Sequence, residues 1–382
     1  MLPTNLLFNL IKSLTKAEKR YFTLTHIRTA KDKNYSILFK EIESQTKSGE
    51  YNEAAIKNKY KNEKFVKQLT FTKNYLHNII VKSLIDFYSN DNLEYIIYKQ
   101  ILSAKIFFRK SLFDDYFRAL EKGKLLAEKT EKFGVLIEIL KLQMKLVQLK
   151  NRRKYKDRNL YNEEKNALRK IENISGYSKL LNTFYSLTKI PDYGRSKILY
   201  REALNIFNNE LLTLKRNAES ATALDMFYLL NIYKSELLED KEKLFSLSLK
   251  RYEVYSKNKA AFSSDNEDKE MILLYSLLYY AVQAEQFDFY RKHLKEYEKK
   301  FLRTRNHKID RQEAKNGFHS LKMNFEYKIG NIKESEKYAE RVFQYFRETE
   351  YGQNKDELLA FYFQYAKILY EGKNYHKALE VS

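Results

Sequence analysis

Apolar residues recur at three- and four-residue steps along most of the chain. Between Lys64 and Tyr88 one set of positions is apolar while lysine and asparagine fill the positions between, the apolar ones being Phe65, Leu69, Leu76, Ile79, Ile80, Leu84 and Phe87. The following segment continues this period with Leu93, Ile97, Ile101, Ala104 and Phe108. This period is that of an amphipathic helix with one buried face. The pattern therefore predicts an all-α protein.

The helical pattern is interrupted at intervals that suggest an internal repeat. The interruptions fall near Phe113, Tyr155, Pro191, Asp240, Phe287, Ile332 and Tyr375. Their spacing, roughly 36 to 48 residues, is typical of stacked helical hairpins. Because a single hairpin leaves an apolar face open, neighbouring hairpins stack to cover it. We therefore predict an α-solenoid of about seven antiparallel hairpins over residues 91–382.

The first 90 residues lack this even spacing. Short helices are predicted near 5–13, 16–29, 34–46 and 52–60, before a long helix over 64–88. Thr15 stands three residues before Glu18, the signature of a capping box at a helix start. We interpret residues 1–90 as a small N-terminal helical domain or a cap on the array.

The most regular hairpin pattern lies at the C-terminal end. Tyr362 is a large aromatic residue, Tyr365 and Ala366 follow three and four positions later, Leu369 is the next apolar position, and the small Ala378 follows the turn. This arrangement resembles the tetratricopeptide repeat, and residues 328–340 and 107–129 resemble it more weakly. The chain as a whole is similar to bacterial proteins that join such an N-terminal segment to helical repeats. The resemblance implies a right-handed superhelix whose concave groove binds a partner, and it implies no activity.

The last predicted helix is short. Starting near Ala378, it is too brief to cover the apolar face of Tyr362, Tyr365 and Leu369. We therefore expect either that the natural polypeptide continues beyond Ser382 and that the repeat array is incomplete here, or that a second copy covers this face in a homodimer formed through the C-terminal end.

The residues that enzyme motifs require are scarce. The chain has no cysteine, which removes thiolate chemistry and cysteine zinc sites. Gly123 and Gly134, the closest of the nine glycines, are 11 residues apart, whereas phosphate loops, dinucleotide-binding turns and nucleophile elbows need closer glycines. The six histidines show no metal-ligand spacing. We predict no catalytic, cofactor-binding or metal site, no cofactor, and no membrane-spanning segment; a cytoplasmic location follows as the expectation.

The net charge of +21 is unevenly distributed. Residues 1–90 carry +8, residues 91–218 carry +12 and residues 219–382 carry +1. The strongest basic cluster surrounds one tyrosine and comprises Lys150, Arg152, Arg153, Lys154, Tyr155, Lys156 and Arg158. Such a cluster is most simply a solvated turn, and its alternative role is to bind phosphates while the ring stacks on a base.

These observations favour a non-enzymatic scaffold that binds a protein or peptide partner, one of acidic character if the basic half takes part. The alternative is a nucleic-acid-binding protein that uses residues 1–90 as a helix-turn-helix-like module together with the basic turn at 150–158. An enzyme whose site is assembled only by folding is a further alternative. The tyrosine-rich segment 273–290 is predicted to be mainly core, with some of its rings open to a groove.

Overall fold

The computed structural model describes residues 5–27, 34–47, 49–88, 92–148, 159–190, 196–262, 269–303, 311–348 and 355–381. Throughout these ranges the secondary structure is helical, which confirms the predicted all-α class. Among the described residues, no helix combines the length and the apolar character needed to cross a membrane. The chain divides into two compact units, Met1–Leu126 and Ala127–Ser382, so the first unit contains the predicted N-terminal domain together with residues 91–126.

The helices of the first unit follow the predicted order. They are α1 (Leu6–Ser13), α2 (Lys16–Phe22), α3 (Asn34–Gln45), α4 (Glu53–Lys59), α5 (Lys64–Lys67), α6 (Leu69–Tyr88), α7 (Leu93–Arg109) and α8 (Phe113–Lys129), the last of which contains the boundary between the units. A π-helical turn at Thr23–Ile27 extends α2. The single helix predicted over 64–88 is divided at Gln68, whose backbone leaves the helical conformation.

The first unit closes around the apolar faces of its short helices. The capping box is present: Thr15 accepts from the Glu18 amide, and the Glu18 carboxylate accepts from the Thr15 amide at 2.6 Å. The buried core of the first unit includes Leu7, Phe8, Ile11, Phe22, Leu38, Phe39, Ile42, Ile56, Phe65, Leu69, Leu76 and Ile80. The predicted apolar face of α5 and α6 is therefore the face that these helices bury.

The second unit is a succession of longer helices. They are α9 (Phe133–Gln148), α10 (Leu160–Thr188), α11 (Lys197–Phe207), α12 (Ala221–Leu237), α13 (Lys241–Lys257), α14 (Lys269–Gln283), α15 (Phe287–Tyr297), α16 (Arg311–Lys328), α17 (Ile332–Glu348), α18 (Lys355–Glu371) and α19 (Tyr375–Val381). Helices joined by short turns pack against each other, as in α12 with α13, α16 with α17, and α18 with α19. Helix α14 contacts α13, α15 and α16, so consecutive helical pairs also share faces.

Among the described residues, six of the connections between helices have the same backbone structure. In each, one residue has a positive φ, and the next amide donates to a carbonyl five residues earlier, for example Asn374 to Leu369 at 2.8 Å. The positive-φ residues of these turns are Ser111, Glu131, Glu239, Glu285, Gly330 and Lys373. This is the Schellman geometry of helix C-termini, which usually places glycine at the positive-φ position. Here only one of the six is glycine.

These turns locate most of the predicted interruptions. Helices α8, α15, α17 and α19 begin at Phe113, Phe287, Ile332 and Tyr375, and Asp240 is the N-cap of α13, as the sequence pattern predicted. The turn residues 239, 285, 330 and 373 are separated by steps of 46, 45 and 43 residues. The turn at Glu131 was not predicted, and the interruptions predicted at Tyr155 and Pro191 lie outside the described residues.

The last hairpin corrects one expectation. Tyr365 and Leu369 have no exposed surface, Ala378 is 9% exposed and Tyr362 is half-buried, although α19 has only seven residues. Rings from both sides explain this: Phe361 lies 5.5 Å and Phe343 of α17 lies 5.8 Å from the Tyr365 ring. The expectation that this face is left uncovered was wrong, because it counted only the cover that α19 supplies and left out the cover from Phe343 in the preceding hairpin and from Phe361. Apolar residues of this hairpin that are exposed instead are Leu359, Phe363, Tyr370, Tyr375 and Leu379.

Candidate functional site

The basic cluster that the sequence singled out cannot be placed. Lys150, Arg152, Arg153, Lys154, Tyr155, Lys156 and Arg158 all lie outside the described residues. The role predicted for them, in an anionic-partner site, stays a prediction.

A cavity of about 630 Å³ lies among the helices at the end of the second unit, and we call it the tyrosine chamber. Each helix contributes one face, because the lining residues recur at helical steps. The lining residues are Met271, Ile272, Tyr275 and Tyr279 from α14, Tyr297 from α15, Glu313, Asn316, Gly317, Ser320, Met323 and Asn324 from α16, Val342, Tyr345 and Phe346 from α17, and Ala360, Phe361 and Gln364 from α18. Its walls are therefore aromatic and apolar, with amide groups concentrated on α16.

Two tyrosines of the chamber are fixed by hydrogen bonds to α16. The Tyr297 hydroxyl donates to the Ala314 carbonyl at 3.1 Å, and the hydroxyls of Tyr275 and Ser320 are 3.0 Å apart. Burial raises the pKa of Tyr297 and of Tyr279 above the usual value for tyrosine. Their hydroxyls consequently stay protonated at neutral pH and do not serve as bases.

Asn316 and Gly317 form the centre of the α16 wall. The Asn316 Oδ1 atom is buried, and no described protein group donates a hydrogen bond to it. Leaving a buried acceptor unsatisfied typically costs about 1–3 kcal/mol. At Gly317 a Cβ atom would lie 2.7 Å from the Tyr297 hydroxyl, so a side chain would displace the ring from its hydrogen bond.

A second, polar cavity of about 450 Å³ adjoins the chamber, and we call it the basic shelf. It shares Asn316 and Tyr345 with the chamber, and its further lining residues are Gln312, Lys315, His319, Arg341, Gln344 and Glu348. Burial, together with the positive charges of Arg341 and Lys315, lowers the pKa of His319 to about 4. His319 is thus neutral at pH 7, and the positive charge of the shelf belongs to Lys315 and Arg341.

Charge is distributed differently in the two cavities. No Lys or Arg is among the described residues that line the chamber, and Glu313 is the one carboxylate there. On the shelf, neither Lys315 nor Arg341 lies within ion-pair distance of a carboxylate among the described residues. Side by side, the two cavities offer an apolar pocket next to a polar one with two cations, Lys315 and Arg341, and one carboxylate, Glu348.

A buried ionic cluster elsewhere in the second unit has a structural role. Asp225 of α12 is 4% exposed and contacts Arg251 of α13 at 2.9 Å and Lys269 of α14 at 2.8 Å. Burial by itself raises the pKa of Asp225, but the two cations more than offset this effect and leave the pKa below the usual value. Because both carboxylate oxygens of Asp225 are engaged by cations from α13 and α14, the cluster joins three helices.

The tyrosine-rich segment 273–290 contributes both to the core and to the chamber. Tyr280 and Tyr290 are buried in the core, where Tyr280 donates to the Glu236 carboxylate, while Tyr275 and Tyr279 line the chamber. The sequence pattern did not single out the polar residues of the α16 wall, because Asn316, Ser320 and Asn324 look like solvent-facing residues of an ordinary amphipathic helix. Their steps of four residues, which place them on one face, are the signal that could have found them.

The histidines and acidic residues do not converge on a metal site in the described part of the chain. Comparison of the chain with protein-family models, curated proteins and solved structures gave no match. The function must therefore be argued from the chamber and the shelf. Their chemistry suits the enclosure of an apolar side chain, hydrogen bonding of a backbone group to an amide, and attraction of a carboxylate.

Proposed function

We propose that this protein is a non-enzymatic interaction scaffold that binds a peptide segment of a partner protein in the tyrosine chamber. The observation that carries the proposal is the aromatic cavity of about 630 Å³ with the polar side chains of Asn316, Ser320 and Asn324 along its α16 wall. A peptide supplies what such a site requires, since each backbone N–H is a donor and each side chain offers apolar area. Sites of this volume commonly bind ligands through apolar walls and a few placed polar groups.

We infer that the hairpins of the second unit stack as a tetratricopeptide-like right-handed α-solenoid. Two features support this inference. The turns recur at steps of 46, 45 and 43 residues, and α14, α16 and α18, each the first helix of a hairpin, all line the chamber. In a stacked array the corresponding helices of successive hairpins form one concave surface.

The partner segment carries an acidic residue close to its apolar anchor. Lys315 and Arg341 lie on the shelf beside the chamber, and guanidinium groups bind carboxylates through charge-assisted hydrogen bonds. A nucleic acid suits the chamber poorly because its described lining holds no Lys or Arg. The nucleic-acid alternative depends instead on residues 150–158, and a cytoplasmic location stays a prediction.

The test begins with selection of peptides from a random display library on the immobilised protein. Binding of selected peptides is then measured by fluorescence anisotropy against two variants. Ala360→Trp fills the chamber, and Leu359→Trp is the matched control, because Leu359 is 70% exposed on the same helix and does not line the chamber. We expect affinity to fall at least about tenfold for Ala360→Trp and to be unchanged for Leu359→Trp.

A third variant tests the shelf. Arg341→Gln should weaken selected peptides that contain Asp or Glu and reduce the salt dependence of their binding. Failure to select any peptide, or equal binding by both tryptophan variants, would refute the proposal. Binding of labelled DNA or RNA with a steep salt dependence, abolished by changing Arg152, Arg153, Lys154 and Lys156 to Gln, would support the alternative instead.

A further inference from the structure

The outer face of α7 in the first unit is apolar and exposed. Tyr95, Tyr98, Leu102 and Ile106 are 42%, 44%, 61% and 54% exposed. At 100° per residue they fall within an arc of about 80°, and at 1.5 Å per residue they extend over about 16 Å. We call this set the α7 stripe.

The α7 stripe is separate from the face by which α7 is packed. Ile97, Ile101 and Ala104 are buried and occupy the other side of the helix. Four large apolar side chains at steps of three and four residues on the exposed side are more than the scattered apolar residues normal for a surface. Tyrosine is enriched at protein interfaces because its ring offers contact area and its hydroxyl tolerates water.

The charges near the stripe are mostly positive, with Glu94 at its N-terminal end as the acidic exception. Lys99 and Arg109 are exposed beside it, and the sequence from Tyr95 to Leu112 contains four basic residues and no acidic one. The first unit as a whole, residues 1–126, holds 23 Lys and Arg against 13 Asp and Glu, a net charge of +10. A second copy of this chain would bring a first unit that also carries +10, and this net charge opposes self-association.

We propose that the α7 stripe docks an acidic amphipathic helix of a partner protein. An apolar face on that helix covers Tyr98 and Leu102, while acidic residues meet Lys99 at one edge of the stripe and Arg109 beyond its C-terminal end. The arrangement is the helix-in-groove type of recognition, in which apolar anchors at helical steps give affinity and the flanking charges give orientation and association rate. This surface belongs to the first unit and is independent of the tyrosine chamber.

The probe for the test is a synthetic 18-residue amphipathic helix with a leucine stripe bordered by glutamates, and its counterpart has lysines in place of the glutamates. Binding to the full chain is measured by fluorescence anisotropy at two salt concentrations. The glutamate helix should bind, more weakly at the higher salt, and the lysine helix should bind at least tenfold more weakly. Leu102→Ser with Ile106→Ser should reduce binding of the glutamate helix at least tenfold.

Leu125→Ser is the matched control, since Leu125 is 66% exposed in the same unit and lies on α8. It should leave binding unchanged, and Lys99→Glu with Arg109→Glu should slow association and reverse the preference between the two helices. Equal binding of both helices would overturn the proposal, as would equal losses in the Leu102 and Leu125 variants. Two other results would also overturn the proposal. The first is that the glutamate helix does not bind, while the chain sediments with anionic phospholipid vesicles and the Leu102→Ser, Ile106→Ser variant does not. The second is that the chain is a dimer in solution and this variant dissociates it.

Discussion

The same substitution, Glu to Gly, is expected to have opposite effects at two turns of the second unit. Glu131 and Glu239 have nearly the same backbone conformation, with φ of 53° and 55°. The left-handed region costs a residue other than glycine about 1–2 kcal/mol. Glycine relieves this strain, but it also raises the entropy of the unfolded chain, which lowers the stability of the folded state by roughly 0.5–1 kcal/mol. For Glu239→Gly we expect a net stabilisation of about 0.5–1 kcal/mol.

The carboxylate of Glu131 reverses the sign. It accepts from the backbone amides of Ala221 at 2.6 Å and Thr222 at 2.8 Å, at the start of α12. Hydrogen bonds to a charged acceptor are worth about 1.5–3 kcal/mol each when buried, and this side chain is only half-buried. Allowing for that exposure and for the relief of strain, we expect Glu131→Gly to destabilise the unit by about 1–2 kcal/mol.

The measurement is equilibrium unfolding in urea followed by circular dichroism, with hydrogen exchange at the amides of α12 as a local reading. Glu131→Gln is the matched variant, because it keeps one acceptor oxygen and the side-chain volume, and it should fall between wild type and Glu131→Gly. Exchange of the Ala221 and Thr222 amides should accelerate in Glu131→Gly and not in Glu239→Gly. If both glycine variants shift the unfolding midpoint in the same direction, the carboxylate is not the cause and the reasoning is wrong.

Two further perturbations address the core of the second unit. Asp225→Asn should destabilise the protein by about 3–5 kcal/mol, because it leaves Arg251 and Lys269 without their buried counter-charge. The folded pKa of Asp225 is depressed, so its contribution to stability is present above the unfolded pKa of about 3.9 and is lost as pH falls through the folded pKa. The urea midpoint of the variant should therefore depend less on pH between pH 2 and 6 than that of the wild type. Ala378→Leu should overpack the last hairpin, lower its stability by about 1–3 kcal/mol and accelerate hydrogen exchange within residues 358–381. Unchanged exchange there would show that the close approach of the two helices at Ala378 is not needed.

Helix positions could be predicted from the sequence because apolar residues mark the buried faces at a fixed period. The helices of the first unit and the starts at Phe113, Phe287, Ile332 and Tyr375 followed from that pattern alone. The turn at Glu131 escaped because apolar residues continue on both sides of it, so the periodic pattern shows no interruption there.

The tyrosine chamber could not be predicted because it depends on which faces of separate hairpins meet. Tyr279 and Tyr280 are neighbours in sequence with the same chemistry, yet one lines the cavity and the other is core. The same limit applies to the α7 stripe. Periodicity identified Ile97, Ile101 and Ala104 as the buried face, but whether the apolar residues on the other side are covered depends on distant parts of the chain.

The left-handed turn residues have an evolutionary consequence. A glycine at such a position relaxes the backbone but can never make a side-chain contact, whereas Ser111, Glu239, Glu285 and Lys373 keep side chains at the cost of some strain. Glu131 demonstrates what such a position can acquire, since its carboxylate caps a helix 90 residues away in sequence. Each turn of this kind is therefore a site where a single substitution can add a long-range contact, or a surface charge, without altering the path of the backbone.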